Sequence, residues 1–228
     1  MKKLLFKYAD AAFWKIINKR RPFDIERMAY LKAAYESAEF IENEMPMAAN
    51  LRQRKALWLE AARRVTVSGL WLEFGVHQGE SIRVIADQTT NTVYGFDSFE
   101  GLPEDWTFFQ KKGRFSLDGK PPENMPDNVE FVKGWFNESL PDFLGKHEDP
   151  VAFLHIDSDL YSSAKTVLDL LQDRIVPGTV VLFDELLNYP GWKSGEAKAW
   201  LEFLSLTGHN AEYFGYASSA HSVGLVIA

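Results

Sequence analysis

Acidic residues close several of the apolar runs in this chain, and carboxylates gathered in that way can hold a cation or move a proton. The run VAFLHIDSDLY puts Asp157 and Asp159 at its end, and TVVLFDEL puts Asp184 and Glu185 at the end of the next. Neighbouring strands lie about 4.8 Å apart, so carboxylates that finish adjacent strands converge. Grouped carboxylates repel one another and shift their pKa values, and no Lys or Arg occurs between positions 147 and 164 to offset them. A divalent cation would, and hard oxygen donors favour Mg²⁺ or Ca²⁺. Asp157, Asp184 and Glu185 are the candidate metal ligands. Asp157 is also the candidate proton acceptor. His155 ranks behind it, because a histidine inside an apolar strand is more often a hydrogen-bonded core residue. Asp159 competes with Ser162 as a cap for the helix that follows.

A second constellation lies earlier. The segment LEFGVHQGES carries Glu73, Gly75, His77, Gly79 and Ser81 through a turn between a strand and a helix. Glycines let the backbone turn tightly against a ligand, and the helix start presents free N–H groups. Read as G-x-G-x-G, the turn has His77 at the middle glycine position. A dinucleotide pyrophosphate needs that close approach. A methionine moiety, which has no phosphates, tolerates the histidine. The next strand ends in GFDSFEGLP, where Asp97 can accept hydrogen bonds from both ribose hydroxyls and Ser98 follows it. The pattern fits S-adenosylmethionine, held by Glu73, Gly75, Gly79, Ser81, Asp97 and Ser98.

These residues need a scaffold. Strands are expected at 69–75, 92–97, 128–133, 151–157, 179–184, 211–217 and 222–227, with helices near 79–88, 138–147, 162–175 and 194–206. The helix at 162–175 has Ala164, Leu168, Leu171 and Ile175 on one face and ends before Pro177-Gly178, a turn signal. Near-continuous apolar strands separated by helices imply a parallel sheet covered on both faces. Only SSAH separates the last two strands, which predicts an antiparallel hairpin. The expected architecture is α/β: a Rossmann-like, seven-stranded, mostly parallel sheet with a reversed final strand, the class I methyltransferase arrangement. A dehydrogenase would still need a catalytic domain. Residues 67–228 form that domain, and 1–66 read as a helical N-terminal extension or lid in which Leu51, Trp58, Leu59 and Ala62 make a stripe. The segment 103–127, rich in Pro, Gly and charge, is a long insertion of the kind that forms lids and binding loops. Trp106, Phe108, Phe109, Tyr161, Tyr189 and Trp192 are expected around the mouth, as an apolar or sugar-stacking acceptor site.

The stretches EFGVHQGESI, VYGFDSFEGLPEDW, FVKGWFNESLP, HIDSDLYSS, PGTVVLFDE and GWKSGEAKAWLEF together resemble the macrocin O-methyltransferase family, over residues 69 to about 205. The resemblance implies a class I fold, S-adenosylmethionine as methyl donor, and a small-molecule hydroxyl acceptor such as a natural-product sugar. It also implies magnesium held by Asp157, Asp184 and Glu185. The family usually has two aspartates at the last pair, so Glu185 departs from it by one methylene. Two rivals remain. Asp157-Ser158-Asp159 fits the D-x-D string of metal-dependent glycosyltransferases, and a non-catalytic S-adenosylmethionine-binding protein could keep the fold.

Composition bounds the partners. The 228 residues suit one domain, and 46% hydrophobic with 25% charged is ordinary for a globular protein. The first 66 residues are net basic and the rest strongly acidic, giving −7 overall. That acidic body argues against nucleic acid, whose phosphates need clustered cations. No apolar run is long enough to span a membrane. Lys7, Asp10 and Lys15 interrupt the N-terminal apolar stretch, so no secretory signal is expected. The absence of cysteine suits a reducing cytoplasm. Leu5, Tyr8, Ala12 and Ile16 share one helix face, and the further apolar residues Phe6, Phe13 and Trp14 predict a homo-oligomer, most simply a dimer.

Overall fold

A computed structural model describes residues 24–107 and 109–228. The proposed N-terminal dimerisation helix and Phe108 lie outside the described residues. Asp24 accepts a hydrogen bond from the Glu26 amide and opens α1 (Ile25–Glu44). A two-residue strand, β1 (Ala49–Asn50), and α2 (Arg54–Arg64) follow. The remaining order is β2 (Leu70–Phe74), α3 (Glu80–Ala86), β3 (Val93–Asp97), β4 (Val129–Lys133), α4 (Phe136–Leu144), β5 (Val151–Ile156), α5 (Tyr161–Leu170), β6 (Ile175–Phe183), α6 (Glu196–Thr207), β7 (Ala211–Tyr216) and β8 (Val223–Ile227).

These strands form one sheet in the order β1-β7-β8-β6-β5-β2-β3-β4. Every pairing is parallel except those of β8, which runs antiparallel to β6 and β7. The reversed last strand and terminal hairpin are as the sequence predicts. The sheet has eight strands rather than seven, because Ala49 and Asn50 pair with Gly215 and Tyr216 and extend the edge. That pairing, with burial of Leu57, Trp58, Ala61 and Ala62 on α2, sets this part of the chain into the main core. Leu51 precedes the helix, and Leu59 lies off its most buried face.

Side-chain alternation along the strands produces two cores. Leu72, Phe74, Phe96, Leu154 and Phe183 point to the side covered by α4, α5 and α6. Trp71, Phe153, Val180 and Leu182 point to the side covered by α2 and α3. Pro177-Gly178 is not the turn between helix and strand that the sequence predicts. β6 already starts at Ile175, and its register against β5 jumps from Val151↔Ile175 to Phe153↔Val180. Gly178 takes φ +93°, while the buried Thr179 hydroxyl donates to Val151 O at 2.6 Å and accepts from Val176 N at 3.0 Å. The bulge is therefore hydrogen-bonded from within, and Pro177 sits at an exposed position before the strand becomes buried at Thr179. As a result α5 is shorter than expected and stops at Leu170.

The chain leaves β2 through β3 and β4 on one side, then returns to β5 on the other. The strand order reverses between β2 and β5. In open α/β sheets, ligands bind outside the C-terminal ends of the strands at such a reversal.

Candidate active site

A cavity of about 830 Å³ opens at that reversal. Gly75, Ser81, Asp97, Ser98, Asp157, Asp184 and Glu185 all line it, so the structure brings these sequence-selected residues together. Glu73 is fully buried beneath it. Its carboxylate accepts from Ser81 Oγ at 2.9 Å and pairs with His155 Nδ1 at 2.9 Å. Gly79 caps α3 in the left-handed conformation at φ +75°.

The turn after β2 is built on Asp97. Its Oδ2 accepts from the amides of Val76 and His77, both at 2.9 Å, and its Oδ1 accepts from Phe99 N at 2.7 Å. Asp97 thus fixes the turn; Oδ2 is filled by its two amide donors, and Oδ1 keeps one lone pair for a further donor. His77 takes φ +45°, the left-handed conformation that the missing glycine would have supplied. Its amide bond to Asp97 and the edge-to-face contact of its ring with Phe115 at 5.6 Å hold it there. Ser98 Oγ accepts from Glu100 N and secures the start of the insertion. Phe115, on that insertion, forms part of the cavity wall.

The acidic cluster lies on the opposite side of β2. Asp157 and Asp159 face the cavity from the end of β5, and Asp184 and Glu185 are buried after β6. Two groupings bring ligand atoms within 4.8 Å of one another: His155, Asp157 and Asp184; and Asp157, Asp159 and Glu185. Asp157 belongs to both. The expected trio is divided between them, with Asp184 in the first and Glu185 in the second. Glu185 Oε2 is buried with no hydrogen-bond partner among the described residues.

Two members of the cluster come from helices and were missed in the sequence. Arg54, in the first turn of α2, donates through Nη1 to Asp184 Oδ2 at 2.6 Å. Ser222 Oγ donates to the other oxygen of Asp184 at 2.8 Å. The expectation of an uncompensated cluster is therefore corrected, because a cation arrives from 130 residues away. Glu196, fully buried at the start of α6, accepts from Ser158 N, Ser158 Oγ and Glu185 N. It joins the two acidic strand ends through their backbone.

Burial and crowding act on these groups in one direction. Desolvation is the largest cause in every case, followed by repulsion from Asp184 for Asp157 and from Asp157 for Glu185, and both carboxyls are pushed well up. Asp159 is pushed up to about 7 and Glu196 to about 8. A raised carboxyl pKa makes the folded chain hold more protons than the unfolded one. That contribution is full below the unfolded carboxylate range, near pH 4, and is lost as pH rises through about 8. The protein without added divalent cation should therefore melt at progressively lower temperature between about pH 5 and pH 8.5. Thermal melts across that range check this, and a flat or rising profile contradicts it.

The expected aromatic mouth is corrected. Trp106 packs edge-on to Tyr189 at 5.9 Å, Trp192 packs on Phe40 at 5.7 Å, and Tyr161 donates to Glu202. Phe109 is exposed. The aromatic residues lining the cavity are Trp58, Phe115, Trp135 and Phe136. Trp58 is expected from sequence only as part of a helical stripe, and the other three sit in segments read as loops.

Comparison with known proteins follows the same lines. A methyltransferase domain model matches residues 72–186, half of the chain, and the chain belongs to that family. The matched span runs from β2 to just past Glu185, and so takes in the turn after β2 and the strand-end carboxylates. A curated relative from Streptomyces olivaceus is 30% identical over 146 residues, 52% of this chain and 53% of its own. It is named 8-demethyl-8-(2,3-dimethoxy-alpha-L-rhamnosyl)-tetracenomycin-C 4'-O-methyltransferase. This chain spans about half the length of that relative. The calicheamicin methyltransferase CalS11 superposes with a TM-score of 0.62 at 21% identity, covering 91% of this chain and 94% of that one. The O-methyltransferase NovP gives 0.60 at 22%, covering 76% and 78%. The fold is that of class I methyltransferases. Neither rival reading gains support: a D-x-D glycosyltransferase leaves the turn after β2 unexplained, and a non-catalytic binding protein leaves the acidic cluster unexplained. No described helix is long and apolar enough to cross a membrane.

Proposed function

We propose that this chain is an S-adenosylmethionine-dependent O-methyltransferase acting on a hydroxyl of a natural-product sugar, aided by a divalent cation. The observation that carries the reading is one cavity at the β2/β5 reversal with a cofactor turn on one side and clustered carboxylates on the other. The rhamnosyl acceptor in the name of the Streptomyces relative supports a sugar hydroxyl, and the macrocin-type motifs support the same substrate class.

The donor would lie with its methionine end at Gly75, Gly79 and Ser81 and its ribose at Asp97 and Ser98. Glu73 would act through Ser81, whose hydroxyl it fixes. In the reaction the acceptor oxygen forms a bond to the methyl carbon. The C–S bond breaks with its electron pair returning to sulfur, leaving neutral S-adenosylhomocysteine, and the hydroxyl proton passes to Asp157. Burial and the neighbouring Asp184 push its carboxyl up, which makes the ionised form a stronger proton acceptor than an ordinary aspartate.

The donor set fits a hard cation. It consists of carboxylate oxygens beside one imidazole nitrogen, and the unpartnered buried Oε2 of Glu185 calls for a positive partner. Asp157, Asp184 and Glu185 are the residues that would hold it. When bound, such an ion offsets the clustered charge and lowers the pKa of an acceptor hydroxyl. Residues before 67 would shape the acceptor side, and the apolar N-terminus would join subunits. The test is transfer of a labelled methyl group from S-adenosylmethionine to rhamnosylated aromatic acceptors. Labelled O-methyl product supports the reading, and no transfer to any hydroxyl of a broad sugar panel contradicts it.

A further inference from the structure

Arg54 has no task in the scheme above, yet it reaches from the acidic cluster to the cofactor turn. Its Nη1 lies on Asp184, and its Nη2 lies 4.0 Å from the carboxylate of Glu80, the first residue of α3 and the neighbour of Ser81. The guanidinium lines the cavity, and its side chain keeps 40% exposure, so it has room to move.

The methionine end of S-adenosylmethionine carries an α-carboxylate as well as an α-ammonium. At the turn after β2 that carboxylate would meet Glu80, Asp157 and Asp184, all of its own sign. It needs a cation. Lys112 also lines the cavity, but it belongs to the insertion after β3, on the side of the ribose-binding Asp97. Arg54 stands on the amino-acid side.

We propose that Arg54 binds the α-carboxylate of the methyl donor, and that Asp184 is the partner it leaves to do so. The inference rests on the donor placement given above. A planar guanidinium accepts one carboxylate in place of another with little change in geometry. Donor binding therefore withdraws the cation from Asp184 and frees a carboxylate oxygen of the acidic cluster. The coupling is reciprocal: whatever releases Arg54 from Asp184 tightens donor binding. Arg54 is in this sense both a binding residue and a link between the two halves of the cavity.

Calorimetric titration of the full chain tests this with two ligands, S-adenosylhomocysteine and 5′-deoxy-5′-(3-aminopropylthio)adenosine. The second lacks only the carboxylate. Arg54→Gln should weaken S-adenosylhomocysteine by about 10- to 100-fold, the scale of lost charge-assisted hydrogen bonds. It should leave the decarboxylated ligand within about 2-fold, which also shows that the variant is folded. Arg54→Lys should recover part of the loss, and Asp184→Asn should bind S-adenosylhomocysteine at least as tightly as the parent. Equal loss for both ligands, or no loss for either, overturns the proposal. If the parent chain binds neither ligand, the donor placement itself fails and the proposal falls with it.

Discussion

Replacing Gly75 with alanine should abolish donor binding and lower the melting temperature sharply. Gly75 has φ +92°, and a Cβ built there would stand 1.8 Å from Asp157 O and 2.8 Å from Asp157 C. Both are backbone atoms at the end of β5, so relief requires β2 and β5 to separate where the cavity opens. The Gly75 amide also donates to Phe96 O at 2.9 Å and ties the turn to β3. The strained φ alone costs about 1–2 kcal/mol, and displacing buried backbone adds several more. For a chain of this size each kcal/mol shifts the melting temperature by about 2–4 °C. A fall of about 10 °C or more is expected, together with loss of S-adenosylhomocysteine binding. Gly113→Ala is the control. It also has positive φ, but nothing lies within 4 Å of the added methyl, so only the conformational cost remains. A Gly75→Ala variant that melts and binds like the parent would remove the close approach from the account.

Asp184→Asn should abolish turnover while donor affinity is kept or raised. Asp184 accepts from Arg54 and Ser222 and stands in the grouping with His155 and Asp157. Asparagine preserves shape and can still accept from Ser222, but it cannot supply the negative charge that a cation requires. Most donor contacts lie at the ends of β2 and β3, away from the substitution, and Arg54, which Asp184 holds, is released by it rather than lost. The separation of turnover from affinity is what distinguishes this role from a structural one, because a misfolded variant loses both. Exhaustive chelation should have the same effect in the parent chain, with magnesium restoring activity. Full turnover in EDTA would leave Asp157 as proton acceptor and remove the cation from the account.

The parts of this site that could be read in sequence are those at strand ends. A strand of alternating side chains places its last residues at one edge of the sheet, so Gly75, Asp97, Asp157 and Asp184 announce their shared location by following apolar runs. The reversed β8 was legible for a similar local reason, since SSAH is too short for a parallel crossover. Arg54 and Glu196 were not legible. Arg54 lies 130 residues from Asp184 and Glu196 lies 38 from Ser158, and only packing of α2 and α6 on the sheet brings them in. The cation that compensates Asp184 therefore lies outside any local stretch of sequence. β1 was missed because two residues carry no periodicity. The start of β6 was missed because Pro177-Gly178 has the composition of a turn, and the Thr179 hydrogen bonds that make it a bulge are invisible in a string of letters. His77 shows the reverse case: the letter departs from the glycine pattern, yet the backbone there keeps the glycine conformation.

Titration of the parent chain and of Asp97→Ala with S-adenosylhomocysteine, with UDP-glucose alongside, tests the central claim most directly. The parent should bind one equivalent of S-adenosylhomocysteine and give no heat with the nucleotide sugar. Asp97→Ala should lose at least about 10-fold in affinity, because a ribose bond worth about 1.5–3 kcal/mol disappears and the amides of Val76, His77 and Phe99 lose their acceptor. A parent chain that ignores S-adenosylhomocysteine, or an Asp97→Ala variant that binds it as tightly as the parent, would contradict the account.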